Sequence, residues 1–209
     1  MQPMIPEYIT PRLALASSSP YRRLLLARLQ LPFEVMAPDI DEQPRPGETP
    51  PETAMRLAQE KAAAIATHFP DALVIGSDQV ATLDGRPIGK PGTHAKALAQ
   101  LQTMRGRRVI FHTALCVHDT RPAAPRQIQL ANIQTAVTFR SLPDALLDAY
   151  LRIEQPYDCA GSAKNEGLGI ALIAACESTD PTALTGLPMI ALCGMLMHAG
   201  MPFFTGLSA

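Results

Sequence analysis

The sequence predicts an α/β sandwich built on a mixed sheet. Short apolar segments bounded by turn residues alternate with segments of helical period, the arrangement of a layered α/β domain. Two long strand-like stretches, "RVIFHTALCVHD" (108–119) and "IQLANIQTAVTFR" (128–140), are separated only by the proline-rich tip "TRPAAPR". Neighbouring strands so joined make the sheet mixed and not purely parallel. The 209 residues are 47% hydrophobic and 18% charged, enough apolar material for a substantial core. No repeat or linker divides the chain, so residues 1–209 read as one domain, with residues 1–11 a flexible extension.

The elements follow in order. "RLALAS" (12–17) is a short buried strand, and "YRRLLLARLQ" (21–30) a helix with Leu24, Leu25 and Leu29 on its apolar side. "FEVMAP" (33–38) is a second strand that runs into the acidic, proline-rich loop "DIDEQPRPGETPP". A long amphipathic helix is expected from Glu52 to Thr67, with Met55, Leu57, Ala58, Ala62 and Ile65 in the core. "ALVIGSDQVATL" (72–83) reads as a strand, a Gly-Ser break and a second extended piece, followed by a tight turn at Asp84-Gly85. "THAKALAQLQTMRG" is a helix stopped by Gly106. Beyond the two long strands, helices are expected over Pro143–Glu154 and Pro188–His198.

Composition excludes several classes of function. A formal net charge of −1 argues against general affinity for nucleic acid polymers, which takes many uncompensated Lys and Arg. No stretch approaches the roughly 20 apolar residues of a membrane span, and "MQPMIPEYITPR" lacks the apolar region of a secretory signal. A cytoplasmic protein without a membrane partner is expected. Cys116, Cys159, Cys176 and Cys193 are widely spaced and read as four buried free thiols, and the five histidines lack zinc-ligand spacing.

Five short segments carry chemistry. In "SSSPYRR", Ser19 before Pro20 is a helix start: a side-chain oxygen to cap, then a residue without an N–H to leave unpaired. Arg22 and Arg23 just inside that start turn a cap into a candidate phosphate seat, although a capped surface helix with solvated arginines fits the segment as well. "GSDQV" (76–80) sets a polar cluster in an apolar run where a strand should end. Asp78 there suits a metal ligand or a proton acceptor for water, or a plain turn. Lys90 in "GKPG" is placed to reach a phosphate as a point charge, without forming a P-loop. Asp39, Asp41 and Glu42, together with Asp78, could gather hard oxygen ligands for Mg²⁺ or Mn²⁺, and Glu60 and Lys61 add charge on the long helix. "YDCAGSAKNEGLG" (157–169) implies a tight loop that places Lys164 and Glu166 as a charged pair.

Taken together, "LASSSPYRRLLLARL", "DIDE", "RLAQEKA", "GSDQV", "GKPGTHAKALAQLQTMRG", "FHTAL", "CAGSAKNEGLG" and "LTGLPMIAL" occur in an order that resembles the Maf family of nucleotide pyrophosphatases, from about Leu13 to Leu196. The resemblance implies an elongated, mixed-sheet, inosine triphosphatase-like fold of two lobes around a central cleft, and a homodimer. Within the family the chain is similar to the subgroup acting on 7-methyl-GTP. Pyrimidine-specific members typically carry Asp-Thr where Asp78-Gln79 stands here, and they lack the "CAGSAKNEG" type of loop. Tyr21 occupies a position where the subgroup often has tryptophan, so an aromatic ring is kept.

The roles implied by the resemblance are specific. Water attacks the α-phosphorus and pyrophosphate leaves, with Asp78 as proton acceptor or metal ligand. Glu42, with Asp41 a weaker candidate, would hold a divalent cation. Ser17, Arg22, Lys61 and Lys90 would hold the triphosphate, with Arg23 assisting. Tyr21, Gln79 and Glu166 would read the base: Tyr21 by attraction of its ring for the cationic 7-methylguanine, Glu166 by accepting from the guanine edge. Two other readings stand beside this one: a pyrimidine or broad-specificity pyrophosphatase, and a non-catalytic cell-division regulator that binds a partner protein.

Overall fold

The computed structural model describes residues 10–122, 124 and 127–204. Residues 1–9 of the expected N-terminal extension lie outside them, whereas Pro11 is buried against the body of the protein. The elements are β1 (Arg12–Ala16), α1 (Pro20–Ala27), β2 (Glu34–Met36), α2 (Pro50–Ala66), β3 (Ala72–Leu83), β4 (Arg86–Ile88), α3 (His94–Met104), β5 (Arg108–Asp119), β6 (Ile128–Phe139), α4 (Asp144–Glu154), β7 (Ile173–Ser178) and α5 (Met189–His198). One sheet runs β2-β1-β3-β5-β6-β7, with β4 beside the far end of β3. The β1–β2 and β1–β3 pairs are parallel and the others antiparallel, so the sheet is mixed as expected.

Three twelve-residue strands, β3, β5 and β6, are each about 40 Å long and run through two lobes. In the first lobe, Leu73, Ile75, Leu115 and Val117 pack under α1 and α5 through Leu25, Leu26, Leu192 and Leu196. On the opposite face, α2 lays Ala54, Ala58 and Ala62 on Ala14, Ala16, Val74 and Ala114. These small side chains bring helix and sheet close together. A Cβ on Gly76 would lie 2.1 Å from the Ala58 carbonyl oxygen and 2.8 Å from the Ala62 nitrogen, so only glycine fits. The second lobe packs Leu101, Met104, Leu147 and Leu151 of α3 and α4 on Leu83, Val109, Phe111 and Phe139.

Between the lobes the sheet has a notch. β1 pairs with β3 only as far as Gly76, and β4 joins it only from Ala81, leaving residues 77–80 without a neighbour on that side. The expected Gly-Ser break in this segment is absent. β5 pairs with β3 without interruption from Leu73 to Thr82, and the ladder carries the chain straight through Gly76 and Ser77. "GSDQV" is therefore not a loop at a strand end. It is the middle of a long strand, exposed because its neighbours stop.

Other expectations are corrected. Leu24 is 67% exposed, and Leu26 takes its place beside Leu25 in the core. α2 begins two residues early, at Pro50, where Glu52 turns back to accept the Thr49 N–H at 2.8 Å. All four cysteines are free, but only Cys116 is buried, and Cys176 is exposed on edge strand β7. No described helix is long and apolar enough to cross a membrane.

Candidate active site

The cleft opens at the notch, has a volume of about 600 Å³, and is lined by nine of the residues singled out from the sequence for catalysis, substrate or metal: Ser17, Tyr21, Arg22, Glu42, Lys61, Asp78, Gln79, Lys90 and Glu166. Its size suits a nucleotide-sized ligand.

The α1 end is built by the three serines. Ser17 is buried at the end of β1, and its Oγ accepts from Ser19 N at 3.1 Å. Ser19 caps the helix through Arg22 N, with Pro20 at the first helical position. Arg22 is half-buried and donates from Nε to the Gly186 carbonyl at 2.8 Å. Burial pulls its guanidinium below the ordinary value, and the charges of Asp78 and Glu42 oppose that shift. An arginine remains protonated through such a change. Arg23 is exposed and does not line the cleft.

The floor is an ion cluster. Strand alternation puts Asp78 on the same face as Val74 and Gly76, toward α2, where Lys61 lies between the sheet-contacting Ala58 and Ala62. Lys61 Nζ sits 2.7 Å from Asp78 Oδ1 and 2.7 Å from Glu42 Oε1. Lys61 and Asp78 are 6% and 8% exposed, so the pair is shielded from water but open to the cleft. The Glu42 carboxyl is held below the ordinary carboxylate range, chiefly by its hydrogen bond to Lys61 and further by the charges of Lys61, Lys90 and Arg22. The long helix thus does not offer Lys61 to solvent. Its neighbour Glu60 instead joins Arg45 and Arg56 on the outer face.

The acidic loop contributes less than its composition suggests. Asp41 accepts from Gln43 N at 3.0 Å and lines a separate surface groove, and Asp39 is exposed away from the cleft. Only Glu42 of the three reaches Lys61. Among the described residues no three His, Cys, Asp or Glu converge as a metal cage. A hard cation that retains waters and takes phosphate oxygens needs only one or two carboxylates, and Glu42 and Asp78, each with one oxygen not bound to Lys61, meet that requirement.

At the other end of the cleft, the expected Lys164–Glu166 pair is not formed. Lys164 Nζ binds Glu154 Oε1 at 2.8 Å and lies over the Tyr21 ring, 5.8 Å from its centroid. Glu154 also accepts Leu168 N at 2.7 Å, and its carboxylate fills the space where Gly167 has no side chain. Position 154, on the last turn of α4, therefore shapes the loop from a distance in sequence that short motifs do not reveal. Glu166 is left exposed within the cleft, where surrounding protein raises its carboxyl above the ordinary value and Lys164 partly offsets the shift.

The wall opposite is the segment 179–188, which the sequence reading did not resolve. Asp180 is 2% exposed and accepts from Thr182 Oγ1 at 2.7 Å and from Ile190 N at 2.7 Å, closing the loop onto the start of α5. Gly186, at φ +102, turns its carbonyl to both Arg22 Nε and Ser77 Oγ. The signal was present in "STDPTALTG": an Asp followed two residues later by Thr, the pattern of a side-chain-closed turn.

A Maf-like protein family model matches residues 12–199. The 7-methyl-GTP pyrophosphatase of Cupriavidus metallidurans is 66% identical over 194 residues, which is 93% of this chain and 96% of that one. The 7-methyl-GTP pyrophosphatase of Ralstonia nicotianae is 62% identical, over 93% of this chain and 98% of its own. Among solved structures, a nucleoside-triphosphatase / dITP/XTP pyrophosphatase from Mycobacterium abscessus aligns with 91% of this chain and 98% of its own, at 15% identity and a TM-score of 0.41. A family match across both lobes and the whole cleft makes this chain a member of the Maf family.

Proposed function

We propose that this protein hydrolyses 7-methyl-GTP to 7-methyl-GMP and pyrophosphate, removing a modified nucleotide from the cytoplasmic pool. The observation that carries the reading is the Asp78–Lys61–Glu42 cluster at the floor of a cleft also lined by Arg22 and Lys90. The names of highly identical relatives support the base assignment.

Hydrolysis at the α-phosphorus needs charge stabilisation around the phosphates and a positioned water. Lys61, Arg22 and Lys90 supply the positive charge. Lys61 also orients Asp78 through Oδ1, and Oδ2, without a protein donor among the described residues, is left to take the water's proton. Ser17 and the capped start of α1 add hydrogen-bonding groups at the phosphate end. Glu42 and Asp78 would hold a divalent cation, Mg²⁺ or Mn²⁺, which when bound neutralises phosphate charge. Tyr21, Gln79 and Glu166 contact the base, and two copies of the chain form the working homodimer.

Tyr21 already carries the Lys164 cation over its ring, so a cationic base must use the remaining face or displace that amine. Turnover of 7-methyl-GTP, GTP, UTP and dTTP with Mg²⁺, Mn²⁺ or EDTA tests the reading. Pyrophosphate release should be fastest from 7-methyl-GTP and should stop with EDTA. Faster turnover of UTP or dTTP would favour the pyrimidine alternative, and release of orthophosphate would refute cleavage at the α-phosphorus.

The pH dependence adds a second test. Glu166, raised above 4.5, gains its proton at a higher pH than an ordinary glutamate, whereas Glu42, lowered below 4.5, keeps its charge to a more acidic pH. On acidification, the preference for 7-methyl-GTP over UTP should therefore fall at pH values still above 4.5, before Glu42 loses its charge. Parallel kcat/KM profiles for the two nucleotides check this order, and a ratio that stays flat down to pH 4.5 contradicts it.

A further inference from the structure

Gln79 and Thr113 stand directly opposite each other in the β3–β5 ladder. Gln79 lines the cleft, whereas Thr113 is fully buried behind it and cannot touch a ligand. The Gln79 amide end is surrounded at short range by Thr113 Oγ1 at 2.9 Å, the Ala183 carbonyl at 3.0 Å and the Leu184 carbonyl at 3.1 Å. Thr113 Oγ1 itself lies 2.9 Å from the Ala183 carbonyl.

Proton counting fixes the arrangement. Carbonyl oxygens only accept, and Thr113 has a single hydroxyl proton, which goes to Ala183. Toward Gln79 the hydroxyl is then an acceptor too. The Ala183 and Leu184 carbonyls take the two amide hydrogens and admit only the NH₂ group, because an amide oxygen in that place would face both carbonyls with at most the Thr113 hydroxyl to turn toward it. The Gln79 oxygen is thereby turned away from the wall, and among the described residues it has no protein donor.

We propose that Thr113 is a positioning residue for base selection: by fastening the Ala183 carbonyl to β5 it keeps the 183–184 carbonyls on the Gln79 amide, which locks Gln79 as an acceptor-only contact and selects bases whose edge presents N–H donors. A guanine edge offers adjacent N1–H and amino donors, whereas a uracil or thymine edge offers one N–H between two carbonyls. Glu166, a second acceptor lining the same cleft, adds to the same selection. The inference rests on the nucleotide pyrophosphatase reading above and names how that site chooses its base. An amide free to rotate would serve either kind of edge; a locked one leaves the wrong edge with unpaired oxygens.

The test compares Thr113→Val, which keeps the shape but removes the hydroxyl, with Thr113→Ser, which restores it. In Thr113→Val, kcat/KM for 7-methyl-GTP should fall about tenfold, mainly through KM, while UTP changes by less than about twofold. Thr113→Ser should recover the preference. An unchanged preference in Thr113→Val, or an equal loss in Thr113→Ser, overturns the proposal. The unmodified protein supplies a readout that needs neither variant nor turnover: the ¹⁵N-labelled Gln79 side-chain NH₂ should exchange its hydrogens slowly with solvent. Exchange at the rate of a free glutamine amide overturns the lock. If the unmodified protein releases no pyrophosphate from any nucleotide, the functional reading fails, and the exchange rate still decides whether Gln79 is fixed.

Discussion

Asp78→Asn should lower kcat by about 10³-fold or more while the protein stays folded, since loss of a positioned proton acceptor alone costs about 10²–10⁴ in rate. Asparagine keeps the shape of the side chain and can still accept from Lys61 through its oxygen, but it removes the charge that a proton or a cation needs. Breaking a buried ion pair is costly when a charge is left without any partner. Here Lys61 keeps Glu42 at 2.7 Å, so the loss of stability should stay below about 3 kcal/mol. Stopped-time pyrophosphate release gives kcat, and a thermal melt of the same preparation gives the stability. Near-normal turnover by a folded Asp78→Asn preparation would remove Asp78 from the chemistry.

Gly76→Ala should be the most damaging single methyl in the first lobe. The added carbon would meet the Ala58 carbonyl oxygen at 2.1 Å, and that atom belongs to the α2 backbone, so no rotamer change relieves the contact. Overpacking of this kind costs roughly 1–3 kcal/mol where side chains can shift, and it should reach about 3 kcal/mol or more where a helix must move. For a chain of this length that corresponds to a fall in Tm of roughly 6–12 °C. Because α2 carries Lys61, its retreat should also pull the ammonium from Asp78 and lower kcat/KM in the fraction that remains folded. Gly194→Ala on α5 is the control, since its new carbon would meet nothing within 4 Å and alanine is the better helix former. A Gly76→Ala melt within about 2 °C of the parent would contradict the close approach.

The sequence revealed the elements more fully than the joints between them. Helical spacing and caps placed α1 to α5 within two or three residues, because those signals are local. The Gly-Ser pair misled for a physical reason: glycine normally marks a break, but Gly76 is there to admit a helix backbone, a cause visible only once α2 and β3 are side by side. The same distance effect hid Glu154 and Asp180. Each holds a loop of the cleft, yet neither sits beside the residues it serves in the chain. Composition alone shows Lys61 only as added charge on the long helix, next to Glu60. Its burial follows from the alanines at positions 54, 58 and 62, which draw that face of α2 onto the sheet.

The Gly186 carbonyl receives Arg22 and lies beside the Ser77 hydroxyl, and it belongs to the same short segment whose Ala183 and Leu184 carbonyls grip Gln79. One piece of backbone thus holds both Arg22, the proposed phosphate contact, and Gln79, the proposed base contact. A base that fits badly and displaces this segment would also misalign Arg22, so recognition would be converted into rate as well as affinity. Poor substrates should then show slower turnover at saturation in addition to weaker binding.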